Sequence, residues 1–314
     1  MAEAPSTRDR VLGALWGALV GDALGVPVEF QDRSLRQADP VEGMRGHGTY
    51  NQPPGTWSDD GALILCTVES LLHAEFDTTD MGGRFLRWMD QGLWTATGIV
   101  FDVGNATASA LRRIKHGTEA ERAGGRQEHD NGNGSLMRIV PVALRFASTR
   151  TDDLLEKVHR ASAITHAHDR SKMACAFFAL STRALLQAEP PGKAFKQSRD
   201  IFSERYRTSE ELRRFGALMH GDIATLTEHQ IWSTGYVVDT LVASVWCLLT
   251  TGSYDECVLK AVNLGGDADT TGCVAGALAG LTYGIQSIPN AWRQALPRGA
   301  ELQALFEQFT NRIC

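Results

Sequence analysis

Two acidic clusters, each set immediately ahead of an apolar run with helical spacing, constrain this chain more than any other feature. The first is Trp57-Ser58-Asp59-Asp60-Gly61, followed over 62–75 by ALILCTVESLLHAE. The second is Gly265-Gly266-Asp267-Ala268-Asp269-Thr270-Thr271-Gly272, followed over 273–283 by a run rich in Ala, Gly and Leu. The small residues of that run let helices approach closely, at some cost in helix propensity for each glycine. Apolar residues recur at helical spacing again over 173–188 and 237–249. Alternating strand patterns are rare and strand–glycine-loop–helix units are absent. The spacing therefore predicts an all-α protein and gives no support to a doubly wound nucleotide fold.

At 314 residues the chain is long enough to bury a substantial core. Polar, Gly- or Pro-containing stretches at 31–54, 117–133 and around Pro190 to Lys196 read as loops, and none has the composition of a flexible linker. One helical domain over 1–314, with long loops converging on one site, is the simplest organisation. The apolar stretch 11–20 raises the question of a signal peptide. Its leader mixes Glu3 and Asp9 with Arg8 and Arg10, and Asp22 soon interrupts the run, so a buried first helix is expected.

Thirty-one basic against 37 acidic residues give a net charge of -6, which offers no electrostatic reason to expect nucleic-acid binding. No membrane-spanning segment is expected either. The cysteines at 66, 175, 247, 257, 273 and 314 contain no CxxC pair, which argues against a thiolate zinc site. Cys66, Cys175, Cys247 and Cys273 lie in apolar or small-residue runs and read as buried free thiols, which suits a reducing cytoplasm. A monomer is the expected oligomeric state.

The chemistry concentrates in oxygen ligands. Ser58, Asp59 and Asp60 suit a helix N-cap, because side-chain oxygens there satisfy free backbone N–H groups. They equally suit a shared hard cation. Asp267, Asp269 and Thr270 carry the same ambiguity, and their D-x-D spacing lets two carboxylates surround one metal or one carboxylate bridge two. A twelve-position calcium loop ending in Glu is not present. Taken together, the clusters make a metal-dependent hydrolase the leading idea, with water activated at Mg²⁺ or Mn²⁺.

Other residues add to this set. Glu29 follows Pro27, which places it near a loop, where it reads as a general base or as a solvated carboxylate. Asp22, among apolar residues, reads as a structural hydrogen-bond acceptor. Asn133, Gly134 and Ser135 end the polar loop at a segment start suited to anions. Arg138 beside them assists or makes a structural ion pair. Thr165-His166-Ala167-His168 lacks the one-turn spacing of a helical metal pair, so His166 reads as a substrate contact, a core histidine or a cap. Asp102 suits a cationic group or a solvated turn, and Tyr236 suits a stacked base or a packed helix entry. No G-x-G-x-x-G, P-loop, nucleophile elbow or H-E-x-x-H motif is present.

Seven segments occur in order: GDALGVPVEF at 21–30, WSDDGA at 57–62, FDVG at 101–104, GNGSLMR at 132–138, ITHAH at 164–168, GYVVDTL at 235–241 and NLGGDADTTG at 263–272. On these segments the chain, over roughly 10–290, closely resembles the ADP-ribosylglycohydrolase family, particularly its bacterial dinitrogen-reductase-activating and ADP-ribosylarginine hydrolase branch. The resemblance implies a compact orthogonal helical bundle with a cleft holding two Mg²⁺ or Mn²⁺ ions. It implies cleavage of arginine-linked ADP-ribose from a modified protein, with oxygen-linked (serine or acyl) ADP-ribose, or non-catalytic ADP-ribose binding, as alternatives. By the same resemblance Ser58, Asp59, Asp60, Asp267, Asp269 and Thr270 are metal ligands, with Asp269 bridging. Glu29, Asp102 and Asp269 are catalytic, and Asn133, Gly134, Ser135, His166 and Tyr236 contact substrate. Ser58 stands where many members have threonine, and Gly266 where many have a polar or acidic residue.

Overall fold

The centre of the fold is a seam of glycines. In the computed structural model, which describes residues 4–219 and 222–314, the helices Thr7–Gly25 and Ala268–Tyr283 pack against each other more extensively than any other pair. A side-chain carbon on Gly13, Gly17 or Gly21 would overlap the carbonyl oxygen of Gly280, Gly276 or Gly272 respectively. The descending partners make the pair antiparallel, and glycine at four-residue intervals on both helices lets the two backbones touch. The register has a functional consequence. Gly25, at the end of the first helix, lies directly against the backbone of Asp269 at the start of the other.

Every residue of the first helix from Arg10 onward is buried. Residues 7–28 are long and apolar enough to cross a membrane by length and composition, yet their apolar window is entirely enclosed by the protein. That is the buried first helix expected from the sequence. Around this pair pack Tyr254–Val262, Val237–Leu249, Asp59–His73 and Gly299–Thr310.

The helical runs read from sequence are present as Asp59–His73, Asp169–Leu186, Val237–Leu249 and Ala268–Tyr283. One expectation is corrected. The stretch around Pro190 to Lys196 is not a loop but the opening of helix Pro191–Arg205. Pro191 occupies its first turn, where the fixed proline φ is already helical and the missing N–H costs nothing. The 31–54 and 117–133 stretches are mostly irregular, interrupted by the short helices Arg33–Ala38 and Ala120–Ala123. Among the described residues no β-strand forms; there are isolated bridges only, two of which join Gly125 to His166 and Gly132 to Tyr236. Cys66, Cys175, Cys247, Cys257 and Cys273 are buried free thiols, and Cys314 is exposed.

Candidate active site

The two acidic clusters meet. Ser58 caps the Asp59–His73 helix, its Oγ accepting from the Asp60 N–H at 3.3 Å. The Ser58 and Gly61 N–H groups donate to the carboxylate of Asp22 at 3.0 and 2.7 Å. Asp22 lies on the first helix and is fully buried, so it clamps the turn that carries Asp59 and Asp60. Burial pushes its carboxyl up to about 7, against the pull of those N–H bonds.

The second cluster is shaped by Gly265 and Gly266, both at positive φ (72° and 65°). A side-chain carbon on Gly266 would overlap the Ser233 carbonyl oxygen, so this backbone path needs glycine. The Gly266 N–H donates to the Gln31 carbonyl at 2.9 Å, the Phe30 N–H donates back to the Gly266 carbonyl at 2.6 Å, and the Asp267 N–H donates to Ser233 at 2.8 Å. This knit draws the Glu29 loop onto Asp267 and Asp269. Carboxylate oxygens of Glu29, Asp267 and Asp269 lie within 4.8 Å of one another. Thr270 Oγ1 donates to Asp60 Oδ1 at 3.3 Å and so ties one cluster to the other.

A cavity of about 280 Å³ opens over this junction. Glu29, Asp59, Asp60, Asp102, Asp267 and Thr270 line it together with Asn133, Gly134 and His166. Asn133 Nδ2 donates to Asp267 Oδ2 at 2.9 Å. Ser58 and Asp269 are buried outside the immediate lining. Ser135 is also fully buried, its hydroxyl 2.8 Å from that of Ser162. Tyr236 does not line the cavity; it bridges Gly132, which does, and lies under the Arg170 guanidinium at 5.6 Å. Arg138 neither lines the cavity nor makes the ion pair considered for it; it is fully buried and donates to the Ala161 carbonyl and to Thr165.

Unmet charge defines the site. Glu29 Oε2, Asp60 Oδ2, Asp267 Oδ1 and Asp269 Oδ2 are buried oxygens without a hydrogen-bond partner. Among the described residues, no Lys or Arg pairs with Glu29, Asp59, Asp60, Asp267 or Asp269. Burial first, and then the neighbouring carboxylates, drives these acids upward: Glu29 to about 9, and Asp59, Asp60 and Asp269 well above the usual carboxylate range. Asp267 also rises, chiefly through burial. Buried carboxylates in this state take up either protons or cations. An all-oxygen donor set with orphaned lone pairs suits a hard divalent cation.

Asp102 also lines the cavity. Its φ of 54° is unusual for a non-glycine residue. The Tyr50 hydroxyl donates to Asp102 Oδ1 at 2.5 Å, and the Tyr50 ring packs on Phe101 at 5.0 Å. Tyr50, Phe30, Thr107 and His129, all at or beside the cavity, escaped the sequence reading. They stand singly in loops or at a helix start, outside any pattern of charge or spacing that could have singled them out.

A second group of potential ligands lies elsewhere. Glu128, His168 and Glu211 bring ligand atoms within 4.8 Å. Arg170 already fills this group, donating to Glu211 at 2.6 Å and to both oxygens of Glu128 at 2.9 and 3.1 Å. His168 caps helix Asp169–Leu186 through Nδ1. A larger groove of about 770 Å³ beside helix Pro191–Arg205 has Lys196, Arg199, Asp200 and Asp222 on its walls, mixed in sign and none buried. Neither place carries uncompensated buried charge, which leaves the smaller cavity as the candidate active site.

Comparison with known proteins agrees with this geometry. The family model described as ADP-ribosylglycohydrolase matches residues 3–314. The chain is 33% identical to the ADP-ribosyl-[dinitrogen reductase] glycohydrolase of Rhodospirillum rubrum, covering 95% of this chain and 93% of that one. It is 31% identical to the ADP-ribosylarginine hydrolase Tri1 of Serratia proteamaculans (strain 568), covering 96% and 78%. The human ADP-ribosylhydrolase ARH3 is 26% identical over 97% of this chain and 93% of its own. A solved structure titled "ADP-ribosylglycohydrolase-related protein complex" superposes with a TM-score of 0.83 at 33% identity, covering 98% and 99%. With its all-α architecture and buried acidic cavity, the chain belongs to the ADP-ribosylglycohydrolase family of hydrolases.

Proposed function

We propose that this protein hydrolyses the N-glycosidic bond of ADP-ribosyl-arginine in modified proteins, releasing ADP-ribose and restoring arginine, with two Mg²⁺ or Mn²⁺ ions bound. The observation that carries the reading is the set of four buried, unpartnered carboxylate oxygens beside a cavity. The Serratia relative, an ADP-ribosylarginine hydrolase, supports the arginine linkage, and the Rhodospirillum relative supports a modified protein as substrate.

Ser58, Asp59, Asp60, Asp267, Asp269 and Thr270 are the residues that would hold the cations. When bound, the cations supply charge neutralisation, anchorage for ribose hydroxyls and a lowered pKa for nearby water. Asn133, Gly134 and His166 line the same cavity as the acids and would contact ADP-ribose, with Ser135 next in the chain and Tyr236 bridged to Gly132. Glu29 orients water toward the anomeric carbon and takes its proton. The carbon–nitrogen bond breaks with its electron pair on nitrogen, and the water oxygen bonds to the anomeric carbon. The water proton passes to the departing guanidine, which leaves as guanidinium. Asp102, held by Tyr50, faces that cationic group through charge-assisted hydrogen bonds. Positive charge developing on the ribose is stabilised by the surrounding carboxylates.

The test is ADP-ribose release from arginine-linked and serine-linked substrates, side by side, with Mg²⁺ and with chelator. Release from the arginine linkage alone, abolished by chelator, is expected. Release from serine would reassign the protein to oxygen-linked substrates, and release from neither would remove the hydrolase reading. Glu29→Gln should lower kcat by about 10²–10⁴; full turnover in that variant would end the role given to Glu29.

A further inference from the structure

We propose that Arg138 and Thr165 are positioning residues that lock His166 in one tautomer, with its proton on Nε2, so that it offers a neutral hydrogen-bond donor to an oxygen of the bound nucleotide sugar. The identity of that ligand rests on the function proposed above; the lock itself does not.

The starting point is an unusual cation. Arg138 is fully buried and pairs with no carboxylate among the described residues. Its guanidinium lies over the Phe85 ring at 4.5 Å and donates to the Ala161 carbonyl at 3.3 Å and to Thr165 Oγ1 at 2.7 Å. A guanidinium only donates, so Thr165 Oγ1 is the acceptor in this bond. Thr165 is itself fully buried, and the other partner of its hydroxyl is His166 Nδ1, at 2.9 Å. The Thr165 O–H therefore donates to Nδ1, which accepts through its ring lone pair.

A neutral imidazole that accepts at Nδ1 carries its hydrogen on Nε2. The opposite arrangement, with Nδ1–H donating to Thr165, would strand the hydroxyl proton in a buried site. Protonation of the whole ring would strand it too. Burial and the nearby Arg138 charge push the His166 ring down to about 3, in keeping with a neutral imidazole.

The released donor points where a ligand would sit. His166 lines the cavity, and its Nε2 has no hydrogen-bond partner among the described residues. Gly134 makes room for the ring, since a side-chain carbon there would stand 2.7 Å from Cε1. The backbone is held as well: the His166 N–H donates to the Ser162 carbonyl at 2.8 Å. The relay thus converts a buried positive charge, kept off the cavity wall, into an oriented and uncharged donor on it.

Imidazole ¹⁵N NMR of the free protein tests the lock directly, with His166→Gln identifying the resonances by their loss. The expected spectrum at neutral pH has Nδ1 unprotonated and Nε2 protonated; a protonated Nδ1 overturns the proposal without any variant having to fold. Thr165→Val removes the relay proton and Thr165→Ser restores it. In Thr165→Val the Nδ1 resonance should move toward a tautomer mixture. The affinity for ADP-ribose, used as the probe in calorimetry, should fall about tenfold, with KM raised more than kcat is lowered. Thr165→Ser should recover both. An unchanged tautomer and unchanged affinity in Thr165→Val overturn the positioning role. Wild-type protein that fails to bind ADP-ribose while showing the Nε2–H tautomer overturns the ligand reading and upholds the lock.

Discussion

Among the described residues two places gather three potential ligands within the same 4.8 Å, and they are opposites. At Glu128, His168 and Glu211 the arginine of position 170 stands between the carboxylates, and Glu128 is 68% exposed to solvent. At Glu29, Asp267 and Asp269 the acids are buried, orphaned oxygens remain and no cation is built in. Counting ligand atoms does not separate the two; asking where the charge is compensated does. A carboxylate in water or beside an arginine has no need of a metal, whereas one without either must take a proton or a cation.

The largest effect expected from this contrast follows removal of Asp269. Asp269→Ala should abolish divalent-cation binding in calorimetry and lower ADP-ribose release by at least about 10³-fold, on the scale of removing a principal electrostatic group from an active site. The helical far-ultraviolet signal should stay intact, because the glycine seam rather than the carboxylate holds the helix start. Glu128→Gln should leave both cation binding and turnover unchanged. Normal cation occupancy in Asp269→Ala would break the assignment of the cavity as the metal centre.

A smaller effect concerns pH and sharpens the same point. Without metal, the folded cavity holds protons more tightly than the unfolded chain, with Glu29 near 9 and Asp59, Asp60 and Asp269 also raised. Ordinary carboxylates titrate near pH ~4. The stability contributed by the protonated cavity is therefore complete below pH ~4 and is lost as pH rises through the folded-state values, up to about 9 for Glu29. Mg²⁺ replaces those protons, so its stabilising effect should grow with pH. At roughly a hundredfold excess over Kd, binding adds ~2.7 kcal/mol. A Tm difference between Mg²⁺ and chelator of about 4–8 °C at pH 8.5, shrinking toward pH 5.5, is the expected pattern. A difference constant across that range would mean that the acids are not protonated in the metal-free cavity.

Much of this arrangement could be read before any coordinates, and the reasons are physical. The apolar periodicity of 237–249 fixes a helix because burying that face dominates its local energetics. The carboxylates at 59, 60, 267 and 269 stand out because two such clusters, each heading an apolar helical run, offer more oxygen ligands than capping the two helices requires. What sequence could not show is register across the chain. Gly13, Gly17 and Gly21 look like propensity defects until Gly280, Gly276 and Gly272 are laid against them. Pro191 looked like a breaker and is a helix start, because proline carries opposite meanings at the two ends of a helix. Arg138 reads as an anion contact or an ion-pair partner, and is neither, because its guanidinium finds carbonyl and hydroxyl acceptors far from it in sequence. Tyr50 acts on Asp102 across 52 positions, and nothing in the loop around it signals that contact.

The smallest effect, and the most discriminating one, comes from emptying the second group of its arginine. Arg170 is 3% exposed and holds Glu128 and Glu211 together while lying over the Tyr236 ring. Arg170→Met keeps the length of the side chain and removes its charge. The loss should be about 1–2 kcal/mol, between the value of an exposed pair and that of a buried one, because Glu211 is partly covered and Glu128 is not. Placed in the Asp269→Ala background, where the cavity is silent, the same change leaves two carboxylates and an imidazole with only the exposed Arg214 guanidinium, 3.9 Å from Glu128, beside them. Calorimetric titration with Mn²⁺ should then reveal a new, weak site with Kd ~1 mM, the range of loosely built, solvent-exposed oxygen sites. If that site appears, a resident arginine and a metal ion are interchangeable answers to the same clustered charge, and compensation decides which groups bind metal. If no Mn²⁺ binds, solvent screening alone suffices for the exposed acids, and burial becomes the property that sets the cavity at Glu29, Asp267 and Asp269 apart.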